Sequence, residues 1–331
     1  MLRIGLAGFG KMGKIRARTI DKSSDVELVA VYDLDKHILP SNVYICNSFD
    51  ELLRLDVDAI FICTYNDVAV EYTIRALEAG KHVFCEKPPA TNCSELKKVK
   101  NVFESSNNVL KYGFNHRFHY SIMRAKELIK SGNFGRILWM RGVYGKAGSI
   151  DYCKNWRNYK KYSGGGILID QGIHMLDLML YFSEEKFTRI NSFVDTLYWD
   201  IEVEDNAFII MQTNSKITAM LHSSATQWRH KFLLEICLEK GYINLDGILS
   251  TTRSYAPEKL VLGLREFEDI DLAMGKPKEE IIWYEYDDSW SLELDDFLTA
   301  IKFNSLPKHG NIYQALLVME LIEEIYNKSE E

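Results

Sequence analysis

Gly8, Gly10 and Gly13 stand in the spacing G-x-G-x-x-G, directly after the apolar run Leu2 to Ala7 and at the opening of a helix-like stretch, Lys11 to Ile20. A dinucleotide needs that context. Gly8 permits a tight turn, Gly10 lets the backbone approach a pyrophosphate, Gly13 lets helix and strand pack closely, and free N–H groups at the helix start face the phosphates. Gly8, Phe9, Gly10, Lys11, Met12 and Gly13 are therefore expected to cradle the cofactor. Asp33 ends the next strand-like run and would accept hydrogen bonds from the adenosine ribose hydroxyls. A carboxylate there repels a 2′-phosphate, so NAD is expected ahead of NADP, although Lys36 follows closely and could still meet a phosphate. FAD shares the glycine pattern. Against it stands Glu86-Lys87-Pro88, which puts a lysine at the carboxyl edge of a sheet, where doubly wound folds bind their ligands.

A second constellation is Gly164-Gly165-Gly166-Ile167-Leu168-Ile169-Asp170-Gln171-Gly172-Ile173-His174. On a helix, Asp170 and His174 share one face about a turn apart, so a carboxylate and an imidazole converge on one substrate. Oxidising a secondary alcohol requires a group that accepts the hydroxyl proton, and histidine titrates near working pH. The plainer reading has the pair satisfying each other or the backbone, with the three glycines as a hinge. Upstream, Tyr152 to Tyr162 carries four cations and four aromatics in eleven residues. Aromatic faces stack on sugar rings or bases, and Lys154, Arg157 and Lys160, beside Trp156, would pair with phosphate. That loop anticipates a phosphorylated or nucleotide-linked sugar; the alternative is a solvated surface or a subunit contact.

The elements that must position these groups fall into two rhythms. Through residue 115, short β-rich runs (LRIGLAG, VELVAVYD, VYICNS, DAIFICT, HVFCEKP, VLKYGFN) alternate with helix-like stretches, which predicts a doubly wound parallel sheet. Afterwards come a helix near Arg117 to Lys130, a strand near Arg136 to Tyr144 and a helix opening near Gly166. Consecutive strands follow (VDTLYWDIEVEDNAFIIMQT, ITAMLHSSATQW, KFLLEICLEK, GYINLDG), as in a largely antiparallel sheet of an α+β domain. Two helix-like segments close the chain, Ser289 to Phe303 and Asn311 to Tyr326. The expected domains are 1–117 for the dinucleotide and 118–331 for substrate and oligomerisation, with the last helices able to pack back on the first.

Composition narrows the function classes. The 331 residues are 47% hydrophobic and 26% charged, ordinary globular values, and no apolar run approaches a membrane span. Net charge is −7: residues 1–120 hold 16 Lys and Arg against 15 Asp and Glu, so the acidity belongs to the remainder and disfavours nucleic acid. The acidic stretch Glu266 to Asp296 reads as solvated surface. Six cysteines without a C-x-x-C pair or zinc-like spacing suggest neither metal nor disulfides, and the short, glycine-punctuated N-terminus is unlike a signal peptide, so a cytoplasmic protein is expected.

The stretch Ala76 to Pro88 and the segment Gly113-Phe114-Asn115-His116-Arg117-Phe118 resemble the glucose-fructose oxidoreductase, inositol dehydrogenase and MocA family of nicotinamide-dependent oxidoreductases. So does the glycine-triplet segment, and the match spans most of the chain. The family's T-P-N-x-x-H is here Thr64-Tyr65-Asn66-Asp67-Val68-Ala69, which keeps Thr64 and Asn66 but loses the proline and histidine. Asn66 then either contacts the cofactor or caps a helix. The resemblance implies a dehydrogenase acting on a secondary hydroxyl of a sugar, sugar phosphate, nucleotide sugar or cyclitol. It implies Thr64, Asn66, Glu86 and Lys87 on the cofactor side and Asn115, Arg117, Asp170 and His174 on the substrate side. His174 is the candidate base, Asp170 would hold a hydroxyl or orient His174, and Lys87 would bridge the nicotinamide ribose and the reacting oxygen; either His174 or Lys87 accepts the proton. Subunits are expected to pair through the open sheet, as a dimer or tetramer. Two other readings are a bound-NAD cycle of transient oxidation and a cofactor-sensing regulator, which would have no use for Lys87, Asp170 and His174 together.

Overall fold

A computed structural model describes residues 1–40, 43–266 and 278–330. The acidic stretch from Glu266 lies in part, at 267–277, outside the described residues. The chain forms two compact units: Met1–Asn115 with Lys161–Gly164 and Trp290–Glu320, and His116–Lys160 with Gly165–Ser289 and Leu321–Glu331.

In the first unit, β1 (Leu2–Ala7), β2 (Val26–Tyr32), β3 (Tyr44–Ile45), β4 (Ala59–Ile62), β5 (His82–Cys85) and β6 (Leu110–Tyr112) form one sheet in the order β3-β2-β1-β4-β5-β6. Every pairing in it is parallel. The order reverses between β1 and β4, the place where such sheets bind ligands. β4 is buried along its whole length, which is why its sequence is continuously apolar rather than alternating. The run VYICNS is shorter as a strand than its composition predicts, since only Tyr44 and Ile45 pair. Helices α1 (Lys11–Asp21), α2 (Phe49–Arg54), α3 (Asn66–Glu78) and α4 (Cys93–Glu104) connect the strands. Ser48 and Asn92 cap α2 and α4 by accepting from the N–H of Glu51 and Glu95.

The helix Ser289–Phe303 contributes Leu294, Phe297 and Ala300 to the same core as Ile4, Phe61 and Phe84. Phe61 and Phe84 stack at 4.8 Å, and Phe297 meets each edge-on at 5.7 Å. Lys111, fully buried on β6, places its ammonium 2.6 Å from Asp296.

The second unit opens at His116 within a 3-10 turn, Asn115–Phe118, followed by α5 (Tyr120–Lys130), so the helix predicted from Arg117 begins three residues later. Its sheet runs β14-β13-β12-β11-β7-β10-β9-β8. The strands are β7 (Ile137–Gly145), β8 (Phe187–Asp195), β9 (Asn206–Thr213), β10 (Thr218–Ser224), β11 (Lys231–Leu238), β12 (Gly241–Asp246), β13 (Glu258–Leu264) and β14 (Glu279–Tyr284). β7 and β10 pair in parallel and the other neighbours antiparallel. The run from Val194 to Thr213 is broken because Asp205, fully buried, accepts the N–H groups of Leu197, Tyr198 and Trp199 and holds a loop there. α6 (Lys160–Ser163) is a single turn; α7 (Ile173–Ser183) covers one face of the sheet, with Met175 and Met179 over Gly142. The other face alternates outward: Phe208, Ile210, Met220 and Trp139 are each 40% or more exposed, and Ile210 lies opposite Met220.

Candidate active site

β1 ends in a loop that its glycines make possible. Gly8 has φ +89°, which disfavours any L side chain, and a Cβ on Gly13 would lie 2.0 Å from the carbonyl oxygen of Gly8. A Cβ on Gly10, by contrast, would meet nothing within 4 Å. Gly13 is there for the protein's own packing, whereas Gly10 keeps backbone bare beside open space, as a pyrophosphate requires. α1 begins at Lys11 with no side-chain cap. Phe9 is buried in the core, so of this residue the backbone is what borders the loop, while Lys11 is exposed and Met12 half-buried. Asp33 accepts the N–H of Phe9 at 2.5 Å and that of Asp35 at 2.8 Å. Its carboxylate thus sets the loop's position, and each oxygen retains acceptor capacity for a ribose hydroxyl. These residues fit a bound dinucleotide. Lys36 donates to the carbonyl of Cys46 at 2.7 Å, which ties it to the protein.

The cofactor-side residues expected beyond this loop have partners within the protein. Glu86 is 9% exposed, and its carboxylate accepts from Nε of Arg16 at 2.6 Å. Arg16 also lies 2.7 Å from Glu293 and is sandwiched by Phe84 and Trp290. Burial opposes the Arg16 charge, yet Glu86 and Glu293 outweigh it and hold its pKa above the usual value. This pairing anchors the residue before Lys87, which follows β5, half-buried and with a cis bond to Pro88. Asn66 is not the cap of α3, since Tyr65 holds that position, and its amide donates to the carbonyl of Ser163 at 2.9 Å. Thr64 donates to the carbonyl of Tyr65 at 3.2 Å.

On the substrate side, Asp170 lies in a π-helical turn, Leu168–Gly172, and His174 in the first turn of α7. Such turns are frequent at functional sites. Glu204 builds this one: its carboxylate accepts the N–H groups of Gly166 and Leu168 and the Tyr326 hydroxyl, while burial pushes its pKa up. A Cβ on Gly166 would lie 2.0 Å from the Glu204 carbonyl, so this glycine marks a close approach rather than a hinge.

Asp170 pairs with the ammonium of Lys146 and lies 3.3 Å from Nε of Arg157, which stacks on Trp156 at 4.4 Å. Lys154 is exposed and pairs with Asp151 at 2.9 Å. Two of the cations expected to await a phosphate are therefore engaged by carboxylates. Arg117 is 4% exposed and forms a two-point pair with Asp177 at 2.8 and 2.6 Å. Asn115 is 6% exposed in the 3-10 turn. His174, 4% exposed, lies flat against His116 at 3.8 Å. Lys146, Glu204 and His116 escaped the sequence reading. A signal existed for Glu204, an acidic residue inside the strand-like run Val203-Glu204-Asp205.

Two family models match the chain: the oxidoreductase family with an NAD-binding Rossmann fold over residues 2–114, and the GFO/IDH/MocA C-terminal domain over residues 122–244. D-glucoside 3-dehydrogenase of Escherichia coli is 33% identical over 192 residues, 54% of this chain and 53% of that protein, so the chain matches about half the length of this relative. Inositol 2-dehydrogenase of Rhizobium meliloti is 25% identical over 318 residues, 91% of this chain and 89% of that protein. Levoglucosan dehydrogenase, solved in complex with NADH and levoglucosan, shares the fold at a TM-score of 0.88 and 19% identity, covering 99% of this chain and 97% of that one. With a glycine loop open at Gly10 in one unit and the Asp170 and His174 turn in the other, the chain belongs to the GFO/IDH/MocA family of oxidoreductases.

Proposed function

We propose that this chain is an NAD-dependent dehydrogenase acting on a secondary hydroxyl of an uncharged sugar-like or cyclitol substrate. The observation that carries the proposal is the Asp170 to His174 turn, where a carboxylate steadied by two cations precedes an imidazole held by ring stacking. The dehydrogenases of glucosides and inositol among its relatives support the substrate class. An uncharged substrate is favoured because Arg157 and Lys154 already face Asp170 and Asp151. NAD is favoured over NADP by the Asp33 carboxylate and by the engagement of Lys36 with Cys46.

The residues Gly8 to Gly13 hold the pyrophosphate and Asp33 the adenosine ribose. Bound nicotinamide supplies the hydride acceptor. His174 takes the proton of the substrate hydroxyl at a ring nitrogen, Asp170 accepts a hydrogen bond from a substrate hydroxyl, and Lys87 steadies the oxygen that becomes a carbonyl. The unit of Met1–Asn115 with Lys161–Gly164 and Trp290–Glu320 is the cofactor-binding part, and the unit of His116–Lys160 with Gly165–Ser289 and Leu321–Glu331 binds substrate.

The outward face carrying Trp139, Phe208, Ile210 and Met220 suits a second copy of the chain, giving a dimer or tetramer. The acidic balance argues against a nucleic-acid partner, and six cysteines present as thiols suit a reducing cytoplasm.

Reduced-nicotinamide absorbance, with NAD and NADP in parallel against free sugars, inositols, sugar phosphates and nucleotide sugars, tests the proposal. Turnover of free polyols with NAD, lowered at least a hundredfold in His174→Asn or Lys87→Ala, is expected. Turnover confined to phosphorylated members overturns the uncharged substrate, and native rates in both variants overturn the chemistry.

A further inference from the structure

The plane of the His174 imidazole is set by a column of buried rings. Its face lies on that of His116 with centroids 3.8 Å apart and planes 14° from parallel. Nε2 of His116 is 2.9 Å from the hydroxyl of Tyr144. Burial pushes the Tyr144 phenol well above its usual pKa, so this hydroxyl stays protonated. Phe232 and Tyr255 close on the Tyr144 ring edge-on at 5.4 and 5.3 Å. A third imidazole, His119, meets His116 edge-on at 5.7 Å, and its Nδ1 lies 2.9 Å from Glu258. His116 comes from the 3-10 turn, His119 from the start of α5, Tyr144 from β7, His174 from α7, Phe232 from β11 and Tyr255 from the loop before β13, all in one unit.

We propose that His116 and Tyr144 are positioning residues for His174: the phenol fixes the ring of His116, and the face of that ring fixes the orientation of His174. The inference rests on His174 being the proton acceptor. An imidazole turns freely about its last torsion unless packing stops it, and a base one ring flip out of place offers the wrong atom to the substrate. Stacking also limits charge. Two imidazolium rings 3.8 Å apart in a buried site repel strongly, so the two rings hold one proton between them and titrate as a pair.

Among the described residues, the other charged or titratable groups near the column include His119 with Glu258, Arg117 with Asp177, Tyr255, His230, edge-on to Tyr255 at 4.8 Å, Tyr152, and Asp170, whose charge reaches Tyr144 and Tyr255. The Glu258 and Asp177 carboxylates each face a basic partner. When His174 takes up the substrate's proton, His116 is neutral and its Nε2 accepts the Tyr144 O–H.

The test joins a titration to kinetics on the full chain. With histidine ring carbons labelled for NMR, His116 and His174 of the native protein take up one proton between them from about pH 9 to about pH 5, whereas His174 alone takes up a full proton in His116→Phe. Two independent full titrations in the native chain would overturn the pairing. Tyr144→Phe lowers kcat about five- to tenfold with KM changed less than about twofold, as loss of one orienting hydrogen bond requires. His116→Phe, which keeps a flat face, retains more kcat than His116→Ala. Native kcat in His116→Ala overturns positioning. If His116→Ala does not fold, Tyr144→Phe decides, with native kcat as the overturning result. Absence of polyol turnover by the native chain counts against the proposed function, and the titration still decides the pairing.

Discussion

Replacing Arg16 by Met tests whether its buried ion cluster carries a large share of the first unit's stability. The guanidinium is 1% exposed, 2.6 Å from Glu86 and 2.7 Å from Glu293, with the rings of Phe84 and Trp290 at 4.2 and 4.7 Å. At an effective dielectric near 20, a unit-charge pair about 4 Å apart is worth about 4 kcal/mol before desolvation, and Arg16 has two. Methionine keeps most of the stem's packing and removes the charge, leaving two buried carboxylates near each other. Breaking a buried pair from one side costs about 3–5 kcal/mol. Glu293 is already pushed up by burial and takes a proton readily, which places the loss near the lower end, about 3 kcal/mol. Urea unfolding followed by tryptophan fluorescence reads this directly, because Trp290 stacks on the guanidinium. Arg16→Met with Glu293→Met removes the stranded acid and should recover more than half of the loss. A single-variant cost below about 1 kcal/mol, or no recovery in the double variant, refutes the reasoning.

Two further substitutions separate other roles. Gly13→Ala drives a methyl against the Gly8 carbonyl and should lower NAD affinity at least about tenfold together with stability; Gly10→Ala meets open space and should weaken NAD binding while leaving the unfolding midpoint in place. Fluorescence titration with NAD checks both, and native affinity in Gly10→Ala would remove the pyrophosphate from that position. Glu258→Gln addresses pH. Burial opposes its ionisation, but His119, the Ser121 hydroxyl and the Leu249 N–H outweigh it and hold the carboxyl below its usual 4.5. The unfolded chain therefore binds the proton more readily, so the stabilisation is full above about pH 4.5 and is lost as pH falls through the lower folded value. Glu258→Gln should be about 1–3 kcal/mol less stable at pH 7, with the gap to the native chain narrowing below pH 4.5. A gap that stays constant down to pH 3 contradicts this account.

The parallel sheet and the antiparallel sheet were legible from the order of their elements: short β-rich runs such as β4 alternate with helix-like stretches in the first, and strand-like runs such as β9 and β11 follow one another without helices in the second. The roles of single charged residues were not. Arg117 with Asp177, Arg16 with Glu293 and Arg157 with Asp170 are pairs distant in the chain, and composition says that a cation is present without saying which acid answers it. Glu86 illustrates the limit. Its place in Glu86-Lys87-Pro88 marks the strand end correctly, whereas its side chain turns to Arg16, a residue whose burial would have been signalled by its place among Gly13, Ala17 and Ile20 on one helix face. The π-helical turn escaped for a different reason: it depends on Glu204, which reaches in from the far side of α7 in sequence.

The helix Ser289–Phe303 supplies Phe297 to the core built on Phe61 and Phe84, and Glu293 to Arg16. The nucleotide-binding half is therefore not a finished object when its strands leave the ribosome. Until residues 290–320 emerge, the aromatic pair Phe61 and Phe84 lacks its edge-on partner and Arg16 lacks one of its acids, so the nascent chain carries an unfilled apolar seam through synthesis of the whole intervening sheet. Cutting the gene at the apparent domain boundary would make that transient state permanent.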